Sequence, residues 1–171
     1  MPKEQQAIAN ILIVEDEEAH AEAMEEGLGR LGHRCSVVYD GTSAIAHLSS
    51  HPTDIVVTDL MLGGDIDGLG VLDAAKKHAP AAKVILVTAH SSVETCRQAL
   101  QEGAFDYIEK PLDLDELRTV VSRAAEMTAQ QRTIRELREQ LDEKYGFENI
   151  VAGSKSMVRI LDTVRRVAAS D

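Results

Sequence analysis

Short apolar runs and amphipathic stretches take turns along this chain. Ile11-Leu12-Ile13-Val14 is a continuous apolar run, the pattern of a strand covered on both faces. Four acids follow it, Glu15 to Glu18. Residues 19–31 are rich in helix formers, with Ala23, Leu28 and Leu31 on one stripe, and Gly32 predicts the stop. Residues 35–39 predict a second strand, Asp40-Gly41 a turn, and residues 42–50 a short helix. Ile55-Val56-Val57-Thr58-Asp59 predicts a third strand that ends in a carboxylate. Residues 63–68 form a Gly/Asp-rich loop, and Val71, Leu72 and Ala75 mark a helix ending near His78, before Pro80. Val84-Ile85-Leu86-Val87 predicts a fourth strand closing in Thr88. Ser91 or Ser92 caps the next helix, which stops at Gly103. Residues 105–109 predict a more polar fifth strand at a sheet edge, and beyond Lys110-Pro111 a long helix starts near Asp113.

Five strand–helix alternations at these lengths predict an α/β fold, a parallel sheet with helices on both faces and right-handed crossovers. In such a sheet all strands point one way, so the residues just past their ends share a rim. In open doubly wound sheets that rim carries the ligand crevice. Here the rim holds Glu15 and Asp16, then Asp59, Thr88 and Lys110.

Composition narrows what that rim can do. Aromatics make up 3% of the 171 residues, so the core is built from Val, Ile, Leu and Ala. The formal net charge of −11 argues against a phosphate-gripping surface for nucleic acid or anionic lipid, while an acidic cluster attracts a divalent cation. No apolar run approaches the roughly 20 residues of a membrane span. The N-terminus lacks the basic-then-apolar order of a secretory signal, which makes the cytoplasm the expected location. Cys35 and Cys96 read as packing thiols, and the six scattered His residues predict no His-based metal site.

Three close carboxylates repel one another unless they share a cation, and a hard ion with oxygen ligands such as Mg²⁺ fits. A hydroxyl and an ammonium beside them suit an anionic oxygen. The set can neutralise a phosphoryl group in transfer while a carboxylate attacks it, giving an acyl phosphate. Taken singly, each residue reads as a turn acid, a cap or a surface lysine; the joint pattern carries the chemistry. A nucleotide-binding alternative needs a Gly-rich loop after the first strand, where Glu15-Asp16-Glu17-Glu18 stands instead. An Asp-nucleophile phosphohydrolase typically carries a second acid two residues on, where this chain has Met61.

With these motifs in order, residues 9–128 resemble the receiver domain of two-component response regulators. Ile11 to Glu17 is similar to the family's opening strand and acidic pair, and Asp59 stands at its phosphoacceptor position. Thr88-Ala89, Asp106-Tyr107-Ile108 and Lys110-Pro111 are similar to its switch hydroxyl, switch aromatic and lysine. The resemblance implies a flavodoxin-like (βα)5 fold with strand order 2-1-3-4-5. It implies Mg²⁺ held by Asp16, Asp59 and the Met61 carbonyl, with Glu15 acting through water. It further implies phosphoryl transfer from a histidine kinase to Asp59, after which Thr88 and Tyr107 move inward. The chain departs from the pattern after Asp59-Leu60: where the family commonly has Met-Pro, Leu62-Gly63-Gly64 stands, and the loop is one residue longer before Asp67-Gly68.

The last helix is predicted to run on to about Lys144. Val120, Met127, Ile134 and Leu141 recur at heptad spacing with Leu137 interleaved, flanked by mixed charge, which predicts a parallel coiled-coil homodimer. Tyr145-Gly146-Phe147 predicts a break. Residues 146–171 resemble the entry to the AAA+ ATPase module of NtrC-type, sigma-54-dependent activators, without a Walker A motif. The expected organisation is a receiver at 1–128, a linker helix at 129–145 and the start of an ATPase domain at 146–171. DNA and sigma-factor contacts are expected only through parts outside this chain. The leading reading is a phosphoacceptor switch, not an ATPase. Its rivals are an Asp59 phosphohydrolase and a phosphorylation-independent dimerisation module.

Overall fold

The computed structural model describes residues 7–89 and 93–145, apart from the side chains of 93–96 and 142–145. The expected cap at Ser91 or Ser92, the side chain of Cys96 and the ATPase-like stretch from Gly146 onward lie outside the described residues. The chain divides after Ala129 into two units, each described by itself.

In chain order the elements are β1 (Asn10–Val14), α1 (Glu18–Gly29), β2 (Arg34–Val38), α2 (Gly41–Ser50), β3 (Ile55–Asp59), α3 (Gly68–His78), β4 (Lys83–Thr88), α4 (Val93–Gln101), β5 (Asp106–Glu109) and α5 (Leu114–Tyr145). The strands pair in the order β2-β1-β3-β4-β5, all parallel. This is the flavodoxin-like sheet expected from the sequence. β3 is buried throughout and β1 and β4 are buried after their first residue, as continuous apolar strands between two helical layers must be. β2 and β5 form the edges and carry the exposed residues.

Alternation along each central strand splits the core into two layers. Ile11, Ile13, Ile55, Val57, Ile85 and Val87 face Met24 and Leu28 of α1 and Leu117 and Val121 of α5. Leu12, Val14, Val56, Val84 and Leu86 face Leu48 of α2, Leu72 of α3 and Ala99 of α4. Each fully buried Leu or Ile contributes about 1.5–3 kcal/mol. The buried stripe of α1 is Ala21, Met24 and Leu28; the expected Ala23 and Leu31 lie only partly buried. Leu28 is buried as expected, Met24 rather than Ala23 shares its face, and Leu31 falls beyond the helix end at Gly29. Tyr39 lies past the end of β2 with 48% of its surface exposed. Cys35 is a half-buried free thiol, pushed up to about 11 by burial and by Glu25. His47 and His51, four residues apart across the end of α2, stack with ring centroids 4.5 Å apart, a pairing the scattered-histidine reading overlooked.

Buried His33 ties the start of β1 to the turn before β2. Its Nδ1 accepts the Ala9 N–H at 3.3 Å, which places the neutral ring's proton on Nε2. Burial holds its pKa below the ordinary 6.5. Burial, then His51, lowers that of His47 as well. On acidification below about pH 6.5 the unfolded chain takes up protons that these folded histidines refuse, so stability falls with pH there. The melting temperature is expected to drop by a few degrees between pH 7.5 and pH 5.5. His33→Gln should flatten that slope; an unchanged slope would remove His33 as a cause.

Among the described residues no helix is long and apolar enough to cross a membrane. In the second unit, the described part of α5 is mostly polar, and it is exposed at every position from 130 to 141. Ile134, Leu137 and Leu141 stand out of it with 50%, 53% and 56% exposure. Val120, expected to open this stripe, is instead 8% exposed and belongs to the receiver core, so the exposed stripe begins at Met127.

Candidate phosphoryl-transfer site

The sheet register brings the rim residues together. Asp59 ends β3 opposite Val87, and Thr88 ends β4 opposite Glu109. Backbone pairing continues past the strand ends. The Leu60 N–H donates to the Val87 carbonyl at 2.8 Å, and the Lys110 N–H to the Thr88 carbonyl at 2.8 Å. Glu15 is likewise fixed to the end of β2 through Val38. Glu15, Asp59, Thr88 and Lys110 therefore sit on backbone that the sheet itself holds in place.

Lys110 is the centre of the site. Its Nζ donates to Asp59 Oδ2 at 2.6 Å and to Glu15 Oε2 and Oε1 at 3.0 and 3.2 Å. Glu15 is fully buried and Asp59 is 6% exposed, so these are charge-assisted contacts in a low-dielectric setting. Burial pulls the lysine pKa down, but the hydrogen bonds and charges of Asp59 and Glu15 prevail and leave it above 10.5. The ammonium is thus charged at any physiological pH. The peptide bond from Lys110 to Pro111 is cis.

Asp16 completes the acid cluster. Carboxylate oxygens of Glu15, Asp16 and Asp59 all lie within 4.8 Å of one another. A donor set of oxygens only, with one member exposed, fits a hard divalent cation that keeps part of its water. Two backbone amides orient the carboxylates: Met61 N–H donates to Asp59 Oδ1 at 2.9 Å, and Gly63 N–H to Asp16 Oδ2 at 3.1 Å. The Met61 side chain is 66% exposed, which leaves the mouth of the site open. Thr88 is buried at 3%, whereas Tyr107 on β5 is 36% exposed.

Sequence reasoning missed two contributors. His20 on α1 places Nδ1 3.1 Å from Glu17 Oε2 and 3.8 Å from Glu15 Oε1. It lines a cavity of about 290 Å³ shared with Lys110, Pro111 and Leu114. The signal was weak, a lone His one turn beyond the acids. The second is Gly68, which donates to the Leu60 carbonyl at 3.0 Å. A Cβ there would lie 2.3 Å from the Asp59 carbonyl oxygen and 2.8 Å from Leu60 Cα, both backbone atoms that cannot step aside. Gly68→Ala is expected to cost about 3 kcal/mol in a urea melt, at the upper end for overpacking. An unchanged midpoint would show that the close approach is relieved by the loop.

A parallel sheet whose rim converges a buried lysine on an aspartate, beside two further acids, defines a receiver. The chain belongs to the response regulator receiver domain family, whose profile matches residues 11–122. It is 32% identical to the regulatory protein AtoC of Escherichia coli over 96% of this chain and 35% of that protein. Against an NtrX-like response regulator of Rickettsia felis the identity is 33%, over 94% of this chain and 34% of that protein. The chain thus spans about a third of the length of these curated relatives. Among solved structures, NtrX from Brucella abortus superposes with a TM-score of 0.71 at 33% identity, over 94% of this chain and 35% of that one. The signal receiver domain of a LuxO repressor protein from Vibrio parahaemolyticus gives 0.70 at 28% identity, covering 74% of this chain and 97% of that domain. This is a receiver domain of two-component response regulators, related to the NtrC-family activators.

Proposed function

We propose that the chain is a phosphoacceptor switch in which Asp59 takes a phosphoryl group from a sensor histidine kinase. The observation that carries this reading is Lys110 Nζ, bridging Asp59 and Glu15 at 2.6 and 3.0 Å with Asp16 alongside. A carboxylate oxygen of Asp59 attacks phosphorus. The bond from phosphorus to the donor's imidazole nitrogen breaks, that nitrogen keeps the electron pair, and an acyl phosphate forms. Lys110 stays protonated and neutralises one phosphoryl oxygen. Asp16 and Asp59 would hold Mg²⁺, with the Met61 carbonyl as a third donor and Glu15 through water; the ion would supply charge neutralisation for the other oxygens. Thr88 and Tyr107 would report the modification to the face formed by α4, β5 and α5.

Mixing the protein with acetyl phosphate and Mg²⁺ should add one phosphoryl group per chain, read by intact mass, with Asp59→Asn as the blank. No adduct on the wild type would end the switch reading. Sustained multiple turnover would favour the phosphohydrolase, against which the apolar Met61 two residues after Asp59 speaks.

The proposed organisation is a receiver at 1–128, a linker helix at 129–145 and the start of an AAA+ ATPase domain at 146–171. Similarity to AtoC and NtrX over nearly all of this chain supports it. The linker would pair two copies through Met127, Ile134, Leu137 and Leu141, and phosphorylation would act on the ATPase through the geometry of that dimer. Contacts with DNA and sigma factor would belong to parts outside this chain. The cytoplasm, where a kinase can reach Asp59, is the proposed location.

A further inference from the structure

We infer that the backbone amide of Gly63 is a positioning group for Asp16, setting how that carboxylate meets a divalent cation. The inference rests on the proposed metal reading of the Glu15–Asp16–Asp59 cluster. Gly63 N–H donates to Asp16 Oδ2 at 3.1 Å, a contact between residues 47 positions apart. Asp16 is exposed and lies two residues beyond the end of β1, outside the strand pairing. Its Oδ1 takes no hydrogen bond among the described residues. One oxygen is tethered and the other left for a ligand.

The loop that presents this amide is anchored on both sides. Leu62 is 8% exposed and packs in the core layer that contains Val14 and Val71. Leu60, two residues earlier, is held through the Gly68 N–H and by the close approach at Gly68. Within the anchored stretch alternate amides do parallel work: Met61 addresses Asp59, and Gly63 addresses Asp16. Gly64, at φ +123°, then turns the chain through a conformation that side chains rarely adopt. The approach is tight at Gly63 as well, since a Cβ there would lie 3.3 Å from Asp16 Oδ2.

This gives the departure at Leu62-Gly63 a chemical meaning. A proline at 63 has no N–H to donate, so a chain with Met-Pro at this point must orient its acid without this tether. A glycine supplies the donor. Outer-shell hydrogen bonds to metal-binding carboxylates commonly matter 10–100-fold in metal affinity.

The test compares Gly63→Pro with Gly63→Ala, which keeps the N–H. Mg²⁺ affinity is measured by calorimetry on the full chain, and thermal melts check the fold. Gly63→Pro is expected to weaken Mg²⁺ binding about tenfold, and Gly63→Ala by less than about threefold. Equal affinities for Gly63→Pro and wild type would overturn the positioning role while leaving the metal reading intact. No Mg²⁺ binding by the wild type would instead overturn the metal reading, and this inference with it. Should Gly63→Pro melt early, the ¹H–¹⁵N signal of Gly63 decides. Its amide proton should lie downfield in the wild type and move upfield in Asp16→Ala; an unmoved signal would overturn the tether.

Discussion

Lys110→Met is expected to slow phosphoryl uptake from acetyl phosphate by about 100-fold or more, the scale for losing one buried charge-stabilising donor. It should also destabilise the resting protein by about 3 kcal/mol, the lower end for breaking a buried ion pair from one side. Both effects follow from one geometry. Glu15 and Asp59, with side-chain exposures of 1% and 9%, share the Lys110 ammonium, whose own side chain is 17% exposed. Methionine keeps the length of the side chain and removes the charge, leaving two buried carboxylates facing each other. The pH window is fixed by sign. The lysine pKa is raised on folding, so the pair's contribution is fully present below about pH 10.5 and is lost only as pH climbs through the higher folded value. Urea melts at pH 7.5 therefore read the full effect. Mg²⁺ should raise the midpoint of Lys110→Met more than that of the wild type, because a cation then has uncompensated acids to meet. A variant as stable as wild type, with no added response to Mg²⁺, would show that the lysine is not what holds the acids together.

The parts of this arrangement visible in the sequence are those written in strand ends. A parallel sheet makes every strand end a neighbour of the others, so an apolar run followed by an acid, a hydroxyl or a lysine already locates Glu15, Asp16, Asp59, Thr88 and Lys110 on one rim. Strand order was not visible in the residues themselves and came from the resemblance. What stayed hidden depends on where side chains and amides turn. The sequence placed Lys110 as a partner for a phosphoryl oxygen, but not as the bridge between Glu15 and Asp59, which depends on the depth of the β5 end. In the sequence Gly63 marks only a departure from the family's Met-Pro. Its amide meets Asp16, because Leu62 on one side is buried and therefore fixes the backbone. Helical phase was the least legible feature. On α1 Leu28 is buried as expected but Met24 takes the place of Ala23, and on α5 Val120 shares the heptad spacing of Ile134 while facing the sheet. One helix can pack against its own domain at one end and carry an unpartnered stripe at the other, and periodicity alone does not mark where that change falls.

If the proposed linker dimer forms, Ile134→Asp is expected to convert it to monomers at about 10 μM protein, weakening association by about 100-fold or more, equivalent to about 3 kcal/mol. The exposed positions from 130 to 141 include three large apolar side chains, Ile134, Leu137 and Leu141, with at least half of each in solvent. Three such side chains on one stripe of an otherwise polar helix favour a partner surface there. Heptad spacing from Met127 through Ile134 to Leu141 matches a second copy of itself, and Leu137 fills the alternate layer. Ile134 is the only β-branched member, the type that favours two strands at that seam position. An Asp there sets two carboxylates against each other across a parallel seam and removes the apolar contact of the layer. Sedimentation velocity reads the outcome directly. The receiver itself should be untouched, so phosphoryl uptake at Asp59 by the monomeric variant should match wild type. A dimer that survives Ile134→Asp would move the interface off this stripe. Loss of uptake together with loss of the dimer would mean that the two activities are joined more closely than a linker helix requires.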